Sequence, residues 1–158
     1  MEQAARAAEQ VSMLPRIDSL YSSPILRARQ TADIISKHIG IEPVIDERLR
    51  ERWFGVFEGK EMPQGNNEWK LDPNNGVLAW EELRSRVRSF IDDAIGKTVV
   101  AVSHGDNIAA ALDLIDDKGA RFHGEVCPKN CNFVVIDSSR NVILAEDVSR
   151  LPGDIGLV

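Results

Sequence analysis

Two side chains in this 158-residue chain combine a chemistry-bearing type with a telling position. Arg27 lies one turn beyond Tyr21-Ser22-Ser23-Pro24, and His104 stands in Val102-Ser103-His104-Gly105, at the end of an apolar run over 98–102. An arginine presents a planar fork of N–H donors that matches phosphate oxygens, and a histidine donates a hydrogen bond or titrates near neutrality. Gly105 lets backbone approach a ligand closely. Singly, an arginine early in a helix is most often a solvated surface group, and a histidine after a strand is often structural. Jointly they mark the carboxyl ends of two strands. Open α/β sheets bind ligands there, and helix N-termini nearby favour anions.

Other candidates carry less. His38, before Ile39-Gly40, reads as a residue complementing the C-terminal end of a helix. His123, Cys127 and Cys131 recur at intervals of four. A closed zinc site wants four ligands, usually with tight Cys-x-x-Cys knuckles, and Pro128 breaks a single helical face, so no metal is expected. Arg84-Ser85-Arg86-Val87-Arg88 alternates with an apolar stripe and reads as a solvated helix face.

The elements that must position Arg27 and His104 follow from periodicity. Residues 2–14, rich in Ala, Glu and Gln, read as a helix ended by Pro15, and 17–22 as a strand. Ser23-Pro24 predicts a helix start with Ser23 as the cap. The helix carries Ile25, Ala28, Ala32, Ile35 and Ile39 on one stripe and stops at Gly40. Residues 43–45 form a short strand. From Arg52 to Ala79 regular patterning fails, and Trp53, Phe54, Phe57 and Trp69 point to a packed lid. Trp80, Leu83, Val87, Phe90 and Ala94 give another helix, stopped by Gly96. Residues 98–102 read as a strand buried on both faces, followed by a helix with Ile108, Leu112 and Ile115 on its stripe. Residues 132–136 and 142–145 close with a hairpin. The pattern is α/β, three layers with a mainly parallel central sheet.

Composition bounds the function classes. The hydrophobic fraction is 43% and the net charge is −6, so the chain is read as one globular domain over 1–158. A chain of this length buries roughly 70% of its unfolded surface without staples. Two cysteines make no disulfide framework. No apolar run reaches the ~18–20 residues of a membrane span, and the N-terminus lacks the order of a signal peptide. A pI near 5.1 argues against broad nucleic-acid binding. Cytoplasmic residence, no membrane and no nucleic-acid partner are the expectations.

Tyr21-Ser22-Ser23-Pro24-Ile25-Leu26-Arg27-Ala28-Arg29-Gln30-Thr31-Ala32, the acidic segment Leu49-Arg50-Glu51-Arg52-Trp53-Phe54-Gly55-Val56-Phe57-Glu58-Gly59, and Val102-Ser103-His104-Gly105 together resemble the histidine phosphatase superfamily, the phosphoglycerate mutase-like proteins. Order and spacing agree over about residues 1–148. The resemblance implies a phosphoglycerate mutase-like fold and no metal or other cofactor. It implies that Arg27 binds the transferring phosphoryl group and that Glu51 is the carboxyl group that protonates the leaving oxygen or activates water. His104 hydrogen-bonds the phosphoryl oxygens as charge shifts.

The sequence departs from the family at its defining motif. The three histidines are His38, His104 and His123, and none stands in an Arg-His-Gly triplet, the source of the family's nucleophile. That motif belongs upstream of the helix that opens this chain, which is therefore expected to be short by its first strand and inactive as given. Val77-Leu78-Ala79 replaces a Gly-Glu-Ser sequence common in phosphatase members, and Ile108-Ala109 stands where an arginine often appears. Expected ligands are a small phosphorylated metabolite or inorganic phosphate. The alternative is a non-catalytic phosphate-binding or interaction protein of the same fold. Without an interior strand, the sheet is expected to show a gap or exposed edge, or a homodimer that covers it.

Overall fold

The computed structural model describes residues 2–14, 16–61, 63 and 68–115, with the backbone of 133–136 and 142–145. Three parallel strands, β1 (Ser19–Ser22), β2 (Pro43–Ile45) and β3 (Val99–Val102), pair in the order β2-β1-β3. Leu20 lies opposite Pro43 on one side and Val100 on the other. A second sheet is the antiparallel pair β4 (Phe133–Ile136) and β5 (Val142–Ala145). The parallel order needs crossovers, and helices supply them: α2 (Leu26–Ile39) links β1 to β2, and α3 (Trp80–Ala94) precedes β3.

Alternation along β1 fixes the layers. Leu20, fully buried, packs with Ala8 and Val11 of α1 (Glu2–Val11) and with Ile35 of α2. Tyr21 points the other way and meets Phe90 of α3 edge-on, ring centroids 5.4 Å apart. The sheet therefore lies between α1 and α2 on one face and α3 on the other. Helix α1 buries Ala4, Ala7, Ala8 and Val11, a stripe of small side chains at helical spacing that lets it lie close to α2. Gly40 ends α2 at φ +71°, its N–H bonded to the Ser36 carbonyl.

Four local expectations change. Ser23 does not cap α2: the helix begins at Leu26, Ile25 occupies the cap position, and Ser23 Oγ accepts only a 3.3 Å bond from the Ile25 N–H. The β3 strand is not buried on both faces, since Ala101 is exposed and Val99, Val100 and Val102 are half-buried. It is the last strand of its sheet, and its outer edge has no partner strand among the described residues. On α4 (Gly105–Ile115) the buried residues are Asn107, Ala109, Ala110, Leu112 and Asp113. Ile108 and Ile115 stay half-buried because Ala110, with Ala111 and Leu114, meets Leu83 and Val87 of α3 while Asn107 and Asp113 face polar partners. The basic stretch of α3 is not a solvated face either. Arg84 pairs with buried Asp113 at 3.0 Å, and Arg86 is half-buried, leaving Arg88 exposed.

The described part of 52–79 packs as expected of a lid. Trp69 meets Phe57 at 4.8 Å and Phe54 at 6.2 Å between centroids, and Lys70 Nζ lies against Phe54 and Trp69. Arg52, 1% exposed, holds this segment from beneath. Its Nε donates to the Leu78 carbonyl at 2.8 Å, and a nitrogen lies 3.5 Å from Asp106.

Candidate active site

Arg27, Glu51 and His104 come from three separate segments and meet at the carboxyl ends of β1 and β3. Arg27 is the second residue of α2, Glu51 follows a short 3-10 turn over Glu47–Leu49, and His104 immediately precedes α4. Arg27 Nη2 lies 3.1 Å from His104 Nδ1 and 3.5 Å from Glu51 Oε2, and that carboxylate oxygen is 3.5 Å from His104 Nδ1. All three residues expected at the site are thus in mutual contact. His38 is elsewhere, at the end of α2, bonded to the Ile34 carbonyl at 2.9 Å as suits a helix C-terminus. His123, Cys127 and Cys131 lie outside the described residues.

Exposure divides the labour. The Arg27 side chain is 62% exposed and the His104 ring 4%, so a solvent-facing cation stands beside a buried imidazole. The ring is held at both nitrogens: Nε2 lies 2.8 Å from Ser23 Oγ. A guanidinium only donates, so Nδ1 accepts from Arg27 and the proton resides on Nε2, which donates to Ser23. Ser23 is a site residue that sequence reasoning assigned to helix capping. Its buried place after β1 is what makes it a partner of His104.

Burial, with the positive charges of Arg27 and Arg86, pushes the His104 imidazole down to about 4. The ring is neutral at physiological pH. Burial pushes the Glu51 carboxyl up, helped by the negative charge of Asp106 and opposed by the Arg52 N–H, Arg27 and Arg86. A carboxyl group raised in this way holds its proton longer, which is what a general acid needs. The constellation offers a cation for anionic oxygens, a neutral hydrogen-bonding imidazole beneath it, and a proton donor at one side.

The backbone leading into Glu51 is gripped by groups flanking His104. Ser103 Oγ donates to the Leu49 carbonyl at 2.9 Å. Asn107, 3% exposed, places Nδ2 2.8 Å from the Leu49 carbonyl and 3.0 Å from that of Arg50. Sequence periodicity carries no signal for these bonds, because they join segments more than fifty residues apart.

Comparisons with known proteins bear on the family and the fold. The family model described as "Histidine phosphatase superfamily (branch 1)" matches residues 1–148. A putative phosphoserine phosphatase 2 of Hydrogenobacter thermophilus is 36% identical over 118 residues, 66% of this chain and 58% of that protein's length. A 2,3-bisphosphoglycerate-dependent phosphoglycerate mutase of Thermoplasma acidophilum is 31% identical over 144 residues, covering 87% of this chain and 71% of the mutase. Among solved structures, a mycobacterial glucosyl-3-phosphoglycerate phosphatase superposes with a TM-score of 0.69 at 24% identity, over 84% of this chain and 74% of the other. A phosphoglycerate mutase from Bacillus anthracis gives 0.59 at 22% identity, over 73% and 66%. The structural likenesses establish a phosphoglycerate mutase-like α/β fold. By the match over 1–148, the chain belongs to branch 1 of the histidine phosphatase superfamily.

Proposed function

We propose that Arg27, Glu51 and His104 form the phosphoryl pocket of a phosphatase-type member of this superfamily acting on a small phosphomonoester. The observation that carries the proposal is the meeting of an exposed guanidinium, a buried imidazole and a raised carboxyl group within 3.5 Å of one another. The guanidinium and imidazole take the phosphoryl oxygens and stabilise the charge that spreads over them in transfer. Histidine attack on phosphorus breaks the ester P–O bond and forms a P–N bond, while Glu51 gives its proton to the departing oxygen. Water then attacks phosphorus, Glu51 takes a proton from it, and the P–N bond breaks to release phosphate.

The attacking imidazole in that scheme is none of His38, His104 or His123. This supports the second reading, a non-catalytic phosphate-binding protein for the 158 residues taken alone. A phosphatase is favoured over a mutase because the segment 52–79 is short for the insertions of the longer mutases. Residence in the cytoplasm and a second copy paired along the outer edge of β3 belong to the same proposal.

Incubation with an aryl phosphate separates the two readings. The chain as given is expected to produce no aryl alcohol above the uncatalysed rate while still binding inorganic phosphate. Hydrolysis that disappears in His104→Ala would show that the residues present suffice for turnover, against this expectation.

A further inference from the structure

We propose that Arg86, on the α3 face turned toward the site, is a positioning residue for the Glu51 carboxyl group. Its role presupposes the phosphoryl pocket described above. Arg86 Nη2 donates both to the Arg50 carbonyl, one residue before Glu51, and to Asn107 Oδ1, at 3.2 Å in the second case. Asn107 in turn offers its two amide hydrogens to the Leu49 and Arg50 carbonyls and to Ser103 Oγ. The chain is closed: α3 holds Asn107 and the Arg50 carbonyl together, and Asn107 and Ser103 flank His104. The acid and the imidazole are thereby fixed to one scaffold.

The arrangement does not serve α3 itself. Arg86 Nε is buried with no acceptor, a cost that a solvated arginine would escape by turning outward. The guanidinium stays inward because its bonds to Arg50 and Asn107 hold it there. Its charge then bears on the site. Glu51 faces Arg27 from α2, His104 from the turn before α4, Asp106 from α4 and Arg86 from α3. Of these, Arg86 is the cation tied to the backbone that carries Glu51, whereas the exposed Arg27 meets only the side chains of Glu51 and His104 there.

The test is the titration of the Glu51 carboxyl carbon in the ¹³C-labelled 158-residue chain, assigned with Glu51→Gln, together with inorganic phosphate affinity at pH 7. Arg86→Met is expected to move the Glu51 titration upward and to weaken phosphate by about tenfold. Arg86→Lys keeps the charge and part of the bonding, and is expected to restore both in part. Arg88→Met, an exposed cation two residues along, is expected to change neither. A Glu51 titration in Arg86→Met that matches the parent would overturn the proposal. Should Arg86→Met fail to fold, amide exchange at Arg50–Arg52 in Arg86→Lys decides: faster exchange supports the role, and unchanged exchange overturns it. If the parent binds no phosphate, the pocket assignment fails while the Glu51 titration still judges Arg86.

Discussion

Arg27→Ala is expected to weaken inorganic phosphate binding by about ten- to a hundredfold, measured by isothermal titration calorimetry at pH 7. A hydrogen bond to a charged group contributes roughly 1.5–3 kcal/mol, and each 1.4 kcal/mol is about a factor of ten. The loss should be specific. Arg27 is 62% exposed and forms no part of the apolar core around Leu20, so the near-ultraviolet spectrum of the variant should match the parent. Arg27→Lys keeps a cation but loses the planar fork, and should recover only a fraction of the affinity. His104 is 4% exposed and is a poorer first probe, since its replacement also empties a buried space next to Ser23. An affinity unchanged in Arg27→Ala would remove Arg27 from the pocket.

The second large effect lies in the covering segment. Gly55→Ala is expected to destabilise the chain by about 3 kcal/mol in urea unfolding, through backbone strain and a main-chain collision together. Gly55 sits at φ +58°, and a methyl group there would lie 1.8 Å from the Asn75 carbonyl oxygen. That oxygen belongs to the main chain and cannot swing aside, so the 3-10 turns over Gly55–Phe57 and Pro73–Asn75 must part. Gly40→Ala is the control. Its φ of +71° carries the same conformational cost, but the added carbon meets nothing within 4 Å, so a loss of only about 1 kcal/mol is expected. The consequence reaches the site, because Arg52 is tied to the far end of this loop at Leu78 and adjoins Glu51. Equal losses in the two variants would mean that the close approach of residues 55 and 75–76 does not hold the loop.

What could be read from the sequence follows the range of each interaction. Helix and strand periods are local, so α2, α3, β2 and the closing hairpin could be placed within a few residues. Arg27 and His104 were legible because their position after strands is itself a local signal. Glu51 was not: a carboxylate between two arginines, Arg50 and Arg52, has no distinguishing spacing, and only the resemblance to the superfamily singled it out. Ser23 was misread for a physical reason. The same serine before Pro24 that could cap a helix instead turns its hydroxyl to His104, a partner 81 positions along the chain. Arg86 and Asn107 were illegible, since both act on backbone carbonyls of another segment. The half-exposed β3 reflects pairing: its apolar residues suit a strand enclosed on both edges, yet only β1 lies beside it among the described residues.

The burial that protects the pocket also sets its proton affinity. His104 is held neutral down to about 4 by burial and by the Arg27 and Arg86 charges, so the guanidinium groups supply the positive charge beside it without an imidazolium. A bound phosphate anion reverses the balance. It offsets the guanidinium charges and accepts a hydrogen bond from the ring, both of which favour the protonated form. The imidazole pKa must then rise on binding, and by linkage phosphate must bind more tightly as pH falls through the interval between the two values. Glu51 acts in the same direction, since its raised carboxyl group ceases to repel the anion once protonated.

The most direct test of the pocket is therefore an NMR titration of the His104 ring in the ¹⁵N-labelled chain, with and without saturating inorganic phosphate. His104 is expected to titrate near 4 in the free chain and distinctly higher with phosphate. A His104 titration that is the same with and without phosphate would contradict the assignment of Arg27, Glu51 and His104 as a phosphoryl site.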